Sequence, residues 1–186
     1  YFSMTVRTAV ITAAGFGTRF LPATKVIPKE LLPIVDRPMV QYAVEEAVDA
    51  GIERIILVTS PRTGTLVRDH FRPSPLLESI LEARTSEHLN GIRELSRMAE
   101  IISVEQKEPV GLGHAVLTAQ PLVGFDPFVV YLPDDLIWAS PSATRQMLPA
   151  FEIYGNIIAV ESILPELVIN YGVVGGTMSE PGILKL

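Results

Sequence analysis

Gly15 and Gly17 stand at the end of an apolar run, and Arg19, Lys25, Lys29 and Arg37 follow against only Glu30 and Asp36. A glycine turn lets backbone N–H groups approach an anion, and clustered cations can neutralise a triphosphate whose charge must be stabilised during transfer. By spacing alone, a strand followed by Gly-x-Gly is more often an ordinary tight turn, and Lys and Arg are more often a solvated face. The conjunction of glycines, four cations and irregular backbone favours a polyphosphate loop. The two familiar phosphate loops do not fit. Gly15-Phe16-Gly17-Thr18-Arg19-Phe20 has Phe where G-x-G-x-x-G needs its third glycine, and Pro22, Pro28 and Pro33 forbid the helix that would hold a pyrophosphate. No G-x-x-x-x-G-K-[ST] occurs. His70, His88 and His114 show neither metal-ligand spacing nor a nucleophile partner, and there is no G-x-S-x-G. His114 is read as a helix residue without a catalytic role. The absence of cysteine removes disulfides, thiolate zinc sites and a cysteine nucleophile together.

The elements that must position these residues follow from the apolar pattern. Of 186 residues, 48% are hydrophobic and 19% charged, enough apolar surface to fold and too little charge for a disordered chain. The net charge of -6 supplies no basic field for nucleic acid or an anionic membrane, so neither is expected as a partner. No apolar run reaches the ~20 residues of a membrane span, and a cysteine-free chain fits a reducing compartment, so the protein reads as cytoplasmic. Residues 1–3, ahead of Met4, resemble a tag remnant.

Val6–Thr12 is β-branched and predicts a strand. Val40, Ala43, Val44, Ala47 and Val48 recur at helical spacing, with Gly51 just beyond. Arg54–Thr59, Glu100–Glu105, Phe128–Leu132 and Asn156–Ser162 read as further strands. Helical stretches are expected near Leu66–Phe71, Pro75–Ala83, Leu89–Met98, Gly113–Gln120 and Ser142–Tyr154. The alternation predicts an α/β fold, an open, mainly parallel Rossmann-like sheet with helices on both faces. Ligands of such sheets bind beyond the carboxyl ends of the strands, where the Gly15/Gly17 loop, the Gln106–Gly113 loop and Asp134-Asp135 converge.

Ala13-Ala14-Gly15-Phe16-Gly17-Thr18-Arg19, Pro28-Lys29-Glu30-Leu31-Leu32-Pro33, Asp36-Arg37-Pro38, Gln106-Lys107-Glu108, Gly111-Leu112-Gly113-His114-Ala115, Leu132-Pro133-Asp134 and Tyr171-Gly172-Val173-Val174 come in an order that closely resembles the bacterial UTP:glucose-1-phosphate uridylyltransferases. They belong to the sugar-phosphate nucleotidyltransferase superfamily. Thymidylyltransferases look similar, but a double glycine would replace Ala13-Ala14 and Gln would replace Glu30. The resemblance implies UTP and glucose 1-phosphate as substrates, Mg²⁺ as cofactor and a homo-oligomer. It implies Ala14, Gly15 and Gly17 against the nucleotide, Arg19 and Lys29 on the triphosphate, Gln106 and Gly111 on the uracil edge, Asp134 on the metal, and Tyr171 and Gly172 near the sugar. Without the resemblance, Asp134 after a proline reads as a turn residue or helix cap.

The chain stops at Leu186 without the Val-Glu-Lys-Pro segment that would hold the sugar and its phosphate, and without a second metal-binding aspartate. The expectation is a nucleotidyltransferase domain over 4–186 lacking its C-terminal part. The alternatives are a module that binds uridine nucleotide without turnover, or an enzyme using dTTP.

Overall fold

Runs of Val, Ile and Leu without polar alternation are strands covered on both faces, and they build the centre of the protein. The computed structural model describes residues 5–186; the expected tag remnant at 1–3 lies outside them. In chain order the elements are β1 (Thr8–Ala13), β2 (Pro33–Ile34), β3 (Arg37–Pro38), α1 (Met39–Asp49), β4 (Arg54–Thr59), α2 (Gly64–His70), α3 (Pro75–Ala83), α4 (His88–Leu95), β5 (Glu100–Glu105), α5 (Leu112–Thr118), α6 (Gln120–Val123), β6 (Phe128–Tyr131), α7 (Ala143–Tyr154), β7 (Thr177–Glu180) and β8 (Ile183–Lys185). The chain divides into two compact units, the first ending at Asn156 and the second being Ile157–Leu186.

In the first unit a four-stranded sheet has the order β5-β4-β1-β6, and every pairing in it is parallel. Ala13, Thr59 and Glu105 align across three strands, so their carboxyl ends lie along one edge. Helices cover both faces, as the alternation predicts. On one face Ile11, Ile55 and Leu57 pack under Val40, Val44 and Ala47 of α1 and Val67 of α2. On the other, Val10, Ile56 and Val58 meet Ala115 and Ala119 around α5 and Val123 of α6. α1 ends where its periodicity predicts, and Gly51 takes φ +90°, a conformation that costs glycine nothing. The N-terminus of α7 is held from a neighbouring helix: Glu46 Oε1 accepts from Thr144 N and Oγ1, both at 3.0 Å, and Thr144 bonds Tyr131 Oη at 2.6 Å.

Residues 15–37 carry no long helix, only the single 3₁₀ turns Thr18–Phe20, Ala23–Lys25 and Lys29–Leu31 before the small β2–β3 hairpin. One expected strand is corrected. Residues 156–162 form no ladder, and Ile158 and Val160 are exposed. An apolar run supplies side chains for a strand but not the neighbouring backbone that must accept its hydrogen bonds. The second unit instead holds a short turn of helix over Pro165–Asn170 and the antiparallel pair β7–β8. Among the described residues no helix is long and apolar enough to cross a membrane.

Candidate active site

The chain leaves β1 at Ala13 and turns sharply at Gly17, whose φ is +64°. A Cβ on Gly17 would sit 3.0 Å from both Lys29 Cβ and Thr24 Cγ2, so only glycine lets the returning segment pack this closely. Thr24, fully buried, ties the turn by donating to the Gly17 carbonyl at 2.7 Å. Lys29 runs back beneath the turn, and its Cε would lie 3.5 Å from a Cβ on Gly15. From there its ammonium reaches across 105 positions of sequence and donates to Asp134 Oδ2 at 2.7 Å. The two side chains are 16% and 32% exposed, so this pair is only partly screened by water. Asp134 belongs to a turn closed by Asp135 N donating to the Leu132 carbonyl at 2.9 Å, and no helix starts directly after it, which removes the helix-cap reading.

Gly15, Gly17, Lys29 and Asp134 therefore share one spot at the carboxyl end of β1. Arg19 lies in the following 3₁₀ turn, exposed and without a hydrogen bond or ion pair among the described residues. Of the other loop cations, Arg37 is committed to Glu45 at 2.8 Å and lies 3.7 Å from Asp36. Gln106 follows β5, its N–H donating to the Thr59 carbonyl at 2.8 Å. Its side chain is buried, and Nε2 lies 3.1 Å from the Gly111 carbonyl and 3.0 Å from His114 Nδ1. Two strand spacings, about 10 Å, separate the ends of β5 and β1, the width of a nucleoside. Tyr171 and Gly172 are in the second unit, both exposed.

Sequence reasoning missed the part that three residues play in this region. Glu30 is 1% exposed, and neither of its carboxylate oxygens has a hydrogen-bond partner. Burial pushes its carboxyl above the usual carboxylate range, opposed by its own backbone N–H and by the nearby Lys29 charge. The one signal of its burial is the apolar stretch Leu31-Leu32-Pro33-Ile34 that follows it. Arg62 donates to the Lys25 carbonyl at 3.1 Å with its guanidinium 5.9 Å from the Phe16 ring centre, clasping the two arms of the glycine loop. His114 is the third, and no spacing in the sequence announces its contact with Gln106.

Comparison with known proteins places the chain among its relatives. The UTP–glucose-1-phosphate uridylyltransferase YngB of Bacillus subtilis is 46% identical over 183 residues, covering 97% of this chain and 61% of that protein. A second B. subtilis protein of that name is 47% identical over 177 residues, covering 94% of this chain and 60% of its own length. The chain thus spans about three fifths of the curated relatives it matches. A UTP-bound UGPase from Acinetobacter baumannii superposes with a TM-score of 0.84 at 40% identity, over 95% of this chain and 63% of that one. A UDP-glucose pyrophosphorylase complexed with UDP-glucose gives 0.82 at 41% identity, over 95% and 65%. The family pattern described as nucleotidyl transferase matches residues 8–180, nearly the whole chain, and with the parallel sheet and its glycine loop this establishes that the chain belongs to the nucleotidyl transferase family.

Proposed function

We propose that the protein transfers a uridylyl group from UTP to glucose 1-phosphate, giving UDP-glucose and pyrophosphate. The observation that carries this reading is the 2.7 Å contact of Lys29 with Asp134 beside the glycine turn, which gathers one cation and one hard oxygen donor where a triphosphate would lie. The oxygen of the sugar phosphate attacks the α-phosphorus, the bond from that phosphorus to the bridging oxygen breaks, and pyrophosphate leaves with the electron pair. A phosphate monoester has its second pKa near about 6, so the nucleophile is already ionised at neutral pH and no general base is required. Catalysis is then alignment and charge stabilisation. Backbone N–H groups near Ala14, Gly15 and Gly17 hold the nucleotide, Lys29 and Arg19 neutralise its phosphates, and Gln106 with Gly111 meets the uracil. Tyr171 and Gly172 are assigned to the sugar.

Among the described residues no three His, Cys, Asp or Glu side chains are grouped to cage a metal. The donor set at Asp134 is a single carboxylate, which suits Mg²⁺, an ion that keeps waters and takes phosphate oxygens. Bound there, Mg²⁺ would offset the charge of the phosphates during transfer. A nucleoside triphosphate substrate fits a cytoplasmic enzyme. The test is calorimetric titration with UTP and ATP in the presence of Mg²⁺, followed by pyrophosphate release on adding glucose 1-phosphate. UTP binds far more tightly than ATP, and release requires both substrates. Equal affinity for ATP refutes the uracil assignment, UTP binding without release favours a nucleotide-binding module, and better turnover of dTTP favours a thymidylyltransferase.

A further inference from the structure

Gln106 faces the proposed nucleobase site with its hydrogen-bonding capacity already divided. A primary amide has two N–H donors and one acceptor oxygen. The Gly111 carbonyl can only accept, so the amide atom 3.1 Å from it is the nitrogen. That same nitrogen is 3.0 Å from His114 Nδ1, which must then be the unprotonated ring nitrogen, accepting the second amide hydrogen. Both donors of a 6% exposed side chain are thereby consumed within the protein, and only Oε1 remains for a ligand. Both partners sit at the start of one helix. Gly111, at φ +108°, opens α5, and His114 stands in the first turn of that helix.

We propose that His114 is a specificity-determining positioning residue: by accepting the second amide hydrogen of Gln106 it leaves an acceptor alone to read the base. This rests on the reading that Gln106 meets the nucleobase edge. Uracil presents an N3–H donor between two carbonyl oxygens, which an acceptor-only amide matches. Cytosine presents a lone pair at N3, which Oε1 repels. A freely rotating glutamine amide would serve either base by turning over, so the discrimination resides in what holds the amide rather than in the amide itself. His114 touches no reacting atom in this scheme and transfers no proton.

The experiment measures UTP and CTP affinity by calorimetry on the full-length protein carrying His114→Leu, His114→Asn or Gln106→Leu, with melting temperature recorded for each. Leu removes the acceptor. Asn can present an amide oxygen close to where Nδ1 stands. For His114→Leu the UTP affinity and the UTP/CTP ratio each fall by about tenfold, the scale of one recognition hydrogen bond, while His114→Asn keeps most of both. A purely structural His114 would instead lower melting temperature and weaken UTP and CTP equally, leaving the ratio unchanged, which overturns the inference. If Gln106→Leu leaves UTP binding unaltered, the base-reading assignment itself is wrong. If Gln106→Leu weakens UTP while His114→Leu preserves the ratio, only the role of His114 falls.

Discussion

Replacing Glu30 by Gln should stabilise the protein at alkaline pH and do nothing at acid pH. The two side chains have nearly the same shape, so the exchange isolates ionisation. In the folded protein Glu30 is 1% exposed with both oxygens unpartnered, and burial raises its pKa above that of the unfolded chain. Below the unfolded value both states are protonated and the carboxyl behaves as a neutral buried group, much as glutamine would. As pH rises through the interval between the two values, the unfolded chain loses its proton first, so the folded state binds more protons and stability falls with pH. Above the folded value the full penalty is present. Each unit separating the two pKa values is about 1.4 kcal/mol, which for a chain of this size is roughly 3–6 °C in melting temperature gained by Glu30→Gln at pH 8 per unit of separation, shrinking to nothing near pH 4. Thermal melts of both proteins from pH 4 to 8, in the absence of nucleotide, give the comparison directly. A Gln variant that is less stable than the parent at every pH would show that the carboxylate has a partner in the folded protein.

Asp134→Asn should cut turnover by at least about 100-fold, as expected for loss of a charge facing a phosphoryl transfer, while the amide oxygen still accepts from Lys29 and stability falls by only about 1 kcal/mol. Near-normal turnover at low Mg²⁺ would mean that the metal is held elsewhere. Arg19→Ala should leave melting temperature within the scatter of a surface change, about 0.5 kcal/mol, because the side chain is exposed and unpaired; its turnover should fall by about 100-fold. Full activity in a pyrophosphate-release assay removes Arg19 from the triphosphate site.

The central sheet was legible because β1, β4, β5 and β6 each announce themselves locally through apolar runs, and α1 through its spacing. Residues 156–162 carry the same signature and make no strand, because pairing is decided by a neighbour that the run does not encode. The loop after β1 could be read as anion-seeking from its glycines and cations, and its prolines correctly excluded a helix. What could not be read was which of those cations is free. Arg37 has Glu45 eight residues on, whereas Lys29 finds Asp134 only through the return of β6 to the side of β1. Glu30 carries the opposite lesson. The sequence marks it as a countercharge in the loop and as part of a motif, and only the fold shows that the turn Lys29–Leu31 directs it inward.

The strand order also bears on synthesis. β1 leaves the ribosome before both of its partners and sits in the interior of the sheet, yet those partners lie far along the chain: Ile11 pairs with Leu57 and then with Tyr131. Until β6 has emerged, the edge of β1 from Thr8 to Ile11, with Val10 and Ile11 fully buried in the finished fold, has nothing to bond. Closing loops of such length before any native contact forms makes parallel sheets slow to assemble and exposes them to aggregation meanwhile. Production of this protein should therefore gain from slower translation or lower temperature, conditions that let the nascent first strand wait without meeting another copy of itself.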